Sequence, residues 1–465
     1  MAIVCLILIA CIRQCFSIAM TQMRQGLDGR YIWPSGRGRI EHYSSSPFVA
    51  PRNLSGSLAW TWHDPVARYA NVPNAVNIDD VMNIYLTSLD GIRKFTPNGE
   101  LLWAYTPHRE VGEEMPDTAS LYKGALFVST TAGRIVALSM RTGEELWKTK
   151  LASTDGNNGW VSVHEDTVIT GSDANDLNRG ESTGRRADTR VTGLNASDGS
   201  VRWTFEPEAP VWNFLASFAN DGTFTFQDYE GRAYRNRVSD GTLIWKSGGL
   251  VGSWTDGSSL LGPNRVVYAV GNYPGMSYPG DGPANPGVIS AYRLEDGELL
   301  WRTIVPRAPN EQPAIGHLAG YEGLSLVQPI GQQCHQGFPT DVYALDAETG
   351  RVRWIFNGPS QKEELQAGDS NLLAQSQRAS AGVRRITLPN PWSAPSIDAS
   401  GTVFIGSEEG PFYALQDANG DGLVKGAAEV STLDTKACFS GSSSPAIAPG
   451  MVVVASIDAM YVFKR

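Results

Sequence analysis

One phrase recurs along the chain and limits what it can become: a β-prone run, a turn ending in glycine, and a tryptophan four residues after that glycine. The pairs are Gly99 and Trp103, Gly143 and Trp147, Gly199 and Trp203, Gly241 and Trp245, Gly297 and Trp301, and Gly350 and Trp354. Each copy reads as a hairpin. In the stretch 341–354 (DVYALDAETGRVRW), Val342, Tyr343 and Leu345 favour extended backbone, and Thr349-Gly350 supplies the positive φ that a tight turn demands. The constant offset puts an indole at one place on every outgoing strand, where it can pack over the next unit. Unrelated hairpins would not share that offset, whereas a ring of stacked units would.

Upstream of the phrase stands another strand, as at 126–129 (LFVS), 266–269 (VVYA) and 403–406 (VFIG), preceded by a segment rich in Ser, Ala and Pro that suits an inner strand. That makes four strands per unit. From Trp60 to Trp354 the tryptophan spacings are 43, 44, 56, 42, 56 and 53, near the length of a four-stranded blade with loop insertions. The last units depart from the pattern. Residues 412–422 (FYALQDANGDG) match the hairpin but no tryptophan follows, and 451–464 (MVVVASIDAMYVFK) stop before a fourth strand. Residues 57–62 (SLAWTW) carry an outer-strand pattern with no hairpin before it. Pairing that N-terminal strand near Trp60 with the C-terminal strands closes the ring and removes a bare sheet edge. The expected fold is all-β, an eight-bladed β-propeller over 57–465, with outer strands at Trp60, Trp103, Trp147, Trp203, Trp245, Trp301, Trp354 and the segment near Gly426.

Composition sets the outer limits. With 48 acidic against 38 basic residues the net charge is −10, which argues against nucleic acid as a partner. Hydrophobic residues are 42 % and charged ones 18 %, enough for a core and no case for global disorder. The apolar run from Ala2 to Ile12 is eleven residues, too short to cross roughly 30 Å of hydrocarbon, so no transmembrane span is expected. Followed by the small residues Ser17 and Ala19, it reads as a signal peptide over 1–19, although no positive charge precedes it. Residues 20–56 then form an N-terminal extension, and the chain is placed in a secreted or other extracytoplasmic compartment. Leu8-Ile-Ala-Cys11 also resembles a bacterial lipoprotein box, which would make Cys11 a lipid anchor. Cleavage after Ala19 leaves Cys334 and Cys438, as one disulfide or as two buried thiols.

The phrase from Tyr343 to Trp354 resembles the pyrroloquinoline quinone (PQQ) repeat, the tryptophan-docking motif of eight-bladed quinoprotein dehydrogenases and of related non-catalytic propellers. The likeness runs from about residue 57 to the C-terminus. It is specific for fold and much less so for activity, because propellers such as the outer-membrane assembly lipoprotein hold partner proteins with the same repeat. For the enzymatic members it implies PQQ and calcium. Tyr268-Ala-Val-Gly-Asn-Tyr-Pro274 is similar to the family's calcium-ligating phrase, which makes Asn272, with Gly271, the cofactor and metal candidate; the alternative is an ordinary turn at a strand end. The family's glutamate ligand comes from a loop that is 171–190 here; it offers Asp173, Asp176, Glu181 and Asp188 among four arginines. The dehydrogenase reading takes its acid from Asp173 or Glu181. The catalytic aspartate of the family would fall within 302–317, where the chain has Glu311 and no Asp, and the adjacent cysteine pair is missing.

Two further features stand outside the repeat. Asp417, Asn419 and Asp421 before Gly422 have the spacing of a calcium loop, but Ala428 holds the place of its last ligand and Glu429 follows; Asx-Gly turns are favoured there in any case. The polar stretch 358–390 exceeds an ordinary inter-blade connection and reads as a surface insertion suited to partner contact. The six histidines show no zinc spacing. The expected function is an extracytoplasmic scaffold that binds a ligand or a protein, with its redox site absent or degenerate. The alternative is a calcium- and PQQ-dependent alcohol dehydrogenase.

Overall fold

The computed structural model describes residues 31–66, 68, 71, 73–107, 113–115, 118–151, 160–172, 188–253, 255, 257–272, 286–331, 339–360, 391–439 and 444–465. Within them the strands sort into eight four-stranded antiparallel sheets arranged as the blades of a propeller. Seven blades are consecutive quartets, numbered here from the one that begins with Pro73–Ile78. The eighth joins Leu58–Trp62 to Ala446–Ala448, Met451–Ala455 and Met460–Lys464, with Trp60 opposite Val462 and Trp62 opposite Met460. The two ends of the chain thus close the ring, as the orphaned outer strand requires.

Burial falls from axis to rim. In blade 6 the inner strand Ala314–Gly316 and the second strand Ser325–Ile330 are wholly buried, while the outer strand of blade 5, Leu299–Val305, alternates. The tryptophans sit on those alternating strands and reach the next blade. Indole nitrogens donate to main-chain carbonyls across six seams: Trp60 to Pro97, Trp103 to Met140, Trp147 to Ala196, Trp203 to Val238, Trp245 to Leu294 and Trp301 to Ala347, at 2.7–3.1 Å. Each ring lies on the turn glycine of the receiving hairpin. A Cβ on Gly143, whose φ is +75°, would stand 2.7 Å from the Trp103 ring. That explains the glycine, and the constant offset places the next indole.

Blade 7 breaks the rule. Residues 416–429 join the third and outer strands by a long loop and not a tight turn, and the loop lies along the edge of blade 6, where Ile355 donates to Gly422 (3.0 Å) and accepts from Val424 (2.9 Å). The outer strand therefore starts after the segment near Gly426, at Val430–Asp434. At the following seam the helical turn Leu54–Ser57, capped by Asn53, takes the indole's place. Leu54 is fully buried and its N–H donates to Ser431 Oγ at 3.1 Å.

The segment before the first blade is more than an extension. Residues 33–46 run as a strap across the inner strands of all eight blades at one rim. Trp33 exchanges two bonds with Ile78, and the carbonyls of Pro34, Ile40, Glu41, Tyr43 and Ser44 accept from Leu121, Phe218, Leu261, Ile315 and Ile397. His42 Nε2 meets Ser162 Oγ at 3.2 Å, and Ser46 Oγ donates to the Ile447 carbonyl at 3.2 Å. Every partner lies at or near the end of an inner strand. Because second strands run antiparallel to inner ones, their ends reach the opposite rim.

Candidate functional site

Asn272 ends the second strand of blade 5, Val266–Asn272, and so lies at the rim away from the strap. Its side chain is fully buried and Nδ2 donates to Asn310 Oδ1 at 2.7 Å, while its main-chain carbonyl accepts from Ser253 Oγ. Asn272 Oδ1 and Asn310 Nδ2 are buried without hydrogen-bond partners among the described residues. The pair therefore offers one acceptor and one donor side by side, which a buried site would leave unmade only at a cost of about 1–3 kcal/mol per group. A Cβ on the neighbouring Gly271 would meet nothing closer than 4.0 Å, so close approach does not require glycine there.

Asn310 belongs to a buried, irregular segment that leads into blade 6. Glu311 in that segment is held by Arg37 of the strap: Nη2 donates to Oε1 at 2.7 Å, with both side chains almost fully buried. The same Oε1 accepts from Gln312 N at 2.9 Å, and Gln328 Nε2 donates to the Glu311 carbonyl at 2.8 Å. Arg37 stands at the tip of the tight turn in which Ser35 and Gly38 exchange main-chain bonds, and its guanidinium lies 4.9 Å over the Trp160 ring. Burial pulls the Arg37 pKa down, against the pull of Glu311. His42 is pushed down to about 3, first by burial and then by the charge of Arg37, so the strap carries one buried cation and one buried neutral imidazole.

The other sequence candidates separate. Asp173, Asp176 and Glu181 lie outside the described residues, as do Cys11, Cys334 and most of the insertion 358–390. Asp188 is buried, its carboxylate so close to Gly171 that an added Cβ there would meet Oδ2 at 2.4 Å. Cys438 is buried. In the loop 417–429 the acids serve the backbone. Asp417 accepts from Gly420 N and Gly422 N (2.9 and 3.1 Å), Asp421 from Leu423 N (2.9 Å), and Asn419 Oδ1 from Asp421 N (2.8 Å). Among the described residues no three His, Cys, Asp or Glu side chains are grouped to hold a metal ion. The sequence reading overlooked Arg37. Its only signal was a glycine on either side, in Gly36-Arg37-Gly38, ahead of the first blade.

Comparison with known proteins places this architecture. A family model described as outer membrane protein assembly factor BamB matches residues 90–249. The chain is 24 % identical to a tetrathionate hydrolase of Acidithiobacillus ferrooxidans over 66 % of its own length and 60 % of that protein's. It is 22 % identical to BamB of Yersinia pestis, covering 70 % of this chain and 82 % of BamB. It is 25 % identical to the dehydrogenase subunit of a quinone alcohol dehydrogenase of Acetobacter aceti, over 54 % of this chain but only 35 % of that one. In structure, a quinohemoprotein alcohol dehydrogenase of Comamonas testosteroni aligns at a TM-score of 0.58 and 13 % identity, over 93 % of this chain and 80 % of its own, a likeness of fold alone.

Proposed function

We propose that this chain, a propeller of PQQ repeats, acts outside the cytoplasm as a scaffold that binds a ligand or a protein partner and whose redox site is absent or degenerate. The observation that carries the reading is the Arg37–Glu311 pair. Glu311 is the one acid in the stretch where the family keeps its base, and its Oε1 already accepts from Arg37 Nη2 and Gln312 N. The apolar leader over 1–19 and the likeness to BamB support the compartment and the partner-binding role.

The dehydrogenase reading has one observation in its favour, the buried, unpartnered Oδ1 of Asn272, which is a proper donor for a hard cation. Among the described residues the rest of the donor set does not fit. The side chain beside Asn272 is the Asn310 amide, and Glu311 is engaged by Arg37. The test is to mix the full-length protein with calcium and PQQ, then follow quinone absorbance through gel filtration and dye reduction with primary and secondary alcohols. The scaffold reading predicts neither. Retained quinone and dye reduction that both vanish in a folded Asn272→Ala variant would favour the dehydrogenase.

A further inference from the structure

The seam between blades 6 and 7 holds a wide-open cleft of about 520 Å³, where, among the described residues, the indole of Trp354 meets a long loop and not a tight turn. Trp354 is buried, yet among the described residues its Nε1 makes no bond of the kind the six other tryptophans make. The loop 416–429 roofs the seam instead. Its acids are engaged by its own backbone: Asp417 as described above, and Glu429, which accepts from Ala418 N and Asn419 N at 3.1 Å and Lys425 N at 3.0 Å. Asp417 also accepts from the Tyr321 hydroxyl, which ties the roof to blade 6. A roof pinned at this many points is formed before any ligand arrives.

The walls are apolar. Phe356 and Tyr413 meet edge to face at 5.1 Å, with Val424 and Val430 beside them. Polar residues are few: Asn357 and Lys425, the one charged lining side chain. Asp421 stands 3.6 Å from Lys425, but both are exposed, and such pairs are worth little. A mostly apolar lining with a few polar groups to fix orientation is how small-molecule sites are built.

We propose that this seam binds a small ligand with a planar aromatic body and one acidic group, a carboxylate or sulfonate. The ring lies against Phe356 and Tyr413, and the acid faces Lys425. The site is independent of the Asn272–Asn310 pair. To test it, the full-length protein is titrated with anilinonaphthalene sulfonate and with the same dye lacking the sulfonate. One saturable site per chain is expected. Lys425→Glu and loss of the sulfonate each weaken it about tenfold, the loss of one charge-assisted contact. Lys425→Arg preserves binding, and Val430→Trp, which fills the cleft, removes it. Because Lys425 is exposed, its variants keep the test decisive should Val430→Trp fail to fold. No saturable binding, or binding that neither Lys425→Glu nor loss of the sulfonate weakens, overturns the proposal.

Discussion

The two rims of the ring are made differently. At one, the strap meets inner strands mostly through main-chain bonds, from Trp33 against Ile78 to Ser46 against Ile397. At the other, irregular segments meet through side chains, and Asn272 and Asn310 keep an acceptor and a donor unused. Main-chain ladders tolerate many sequences and leave little unsatisfied, which suits closure. Unused buried groups suit recognition, because only a partner of the right shape and polarity relieves them. Arg37 links the rims: it belongs to the strap and grips the segment that carries Asn310.

Breaking that link should have the largest effect. Arg37→Met leaves Glu311 buried beside an apolar chain and should destabilise the protein by about 3–5 kcal/mol in urea unfolding, while the double variant Arg37→Met, Glu311→Gln should recover most of the loss. If the double variant is as unstable as the single one, Arg37 serves packing and the rims are not coupled through charge. A lesion in the ordinary repeat should cost less. Gly143→Ala puts a Cβ 2.7 Å from the Trp103 ring at a φ of +75°, and we expect a loss of about 2 kcal/mol by the same assay.

The strap rim also has a signature in pH. His42 titrates near 6.5 when unfolded and is pushed down to about 3 when folded, so the unfolded chain binds the extra proton between those values. Stability contributed at this position is complete above pH 6.5 and falls as the pH drops toward 3, by at most about 1.4 kcal/mol per unit. His42→Gln keeps a donor and an acceptor for Ser35 and Ser162 and should flatten that slope. An unchanged slope would show that His42 is not the buried neutral group.

What could be read from the chain follows the same division. Eight blades, their four strands and the closure through Trp60 were legible because a repeat writes the same contact many times, and the glycine-to-tryptophan offset is that contact in sequence. The strap was not, since main-chain bonds place few demands on side chains and leave no periodic pattern. Asn272 could be singled out by its likeness to a family phrase, but its partner could not. Asn310 and Glu311 look like any polar pair in a loop, and what engages Glu311 lies 274 residues away. The loop from Asp417 to Asp421 shows the opposite difficulty. Its acidic spacing suggests an ion, while in the fold those oxygens accept from the loop's own N–H groups and shape a long loop where the other blades have a tight turn.

The most direct test of the scaffold reading is equilibrium binding of PQQ to the calcium-loaded full-length protein, read as quinone absorbance that co-elutes with the chain. A scaffold whose acid is tied to Arg37 predicts no co-elution. Stoichiometric quinone that stays with the protein and is lost in Asn272→Ala, with the fold intact by circular dichroism, would contradict it.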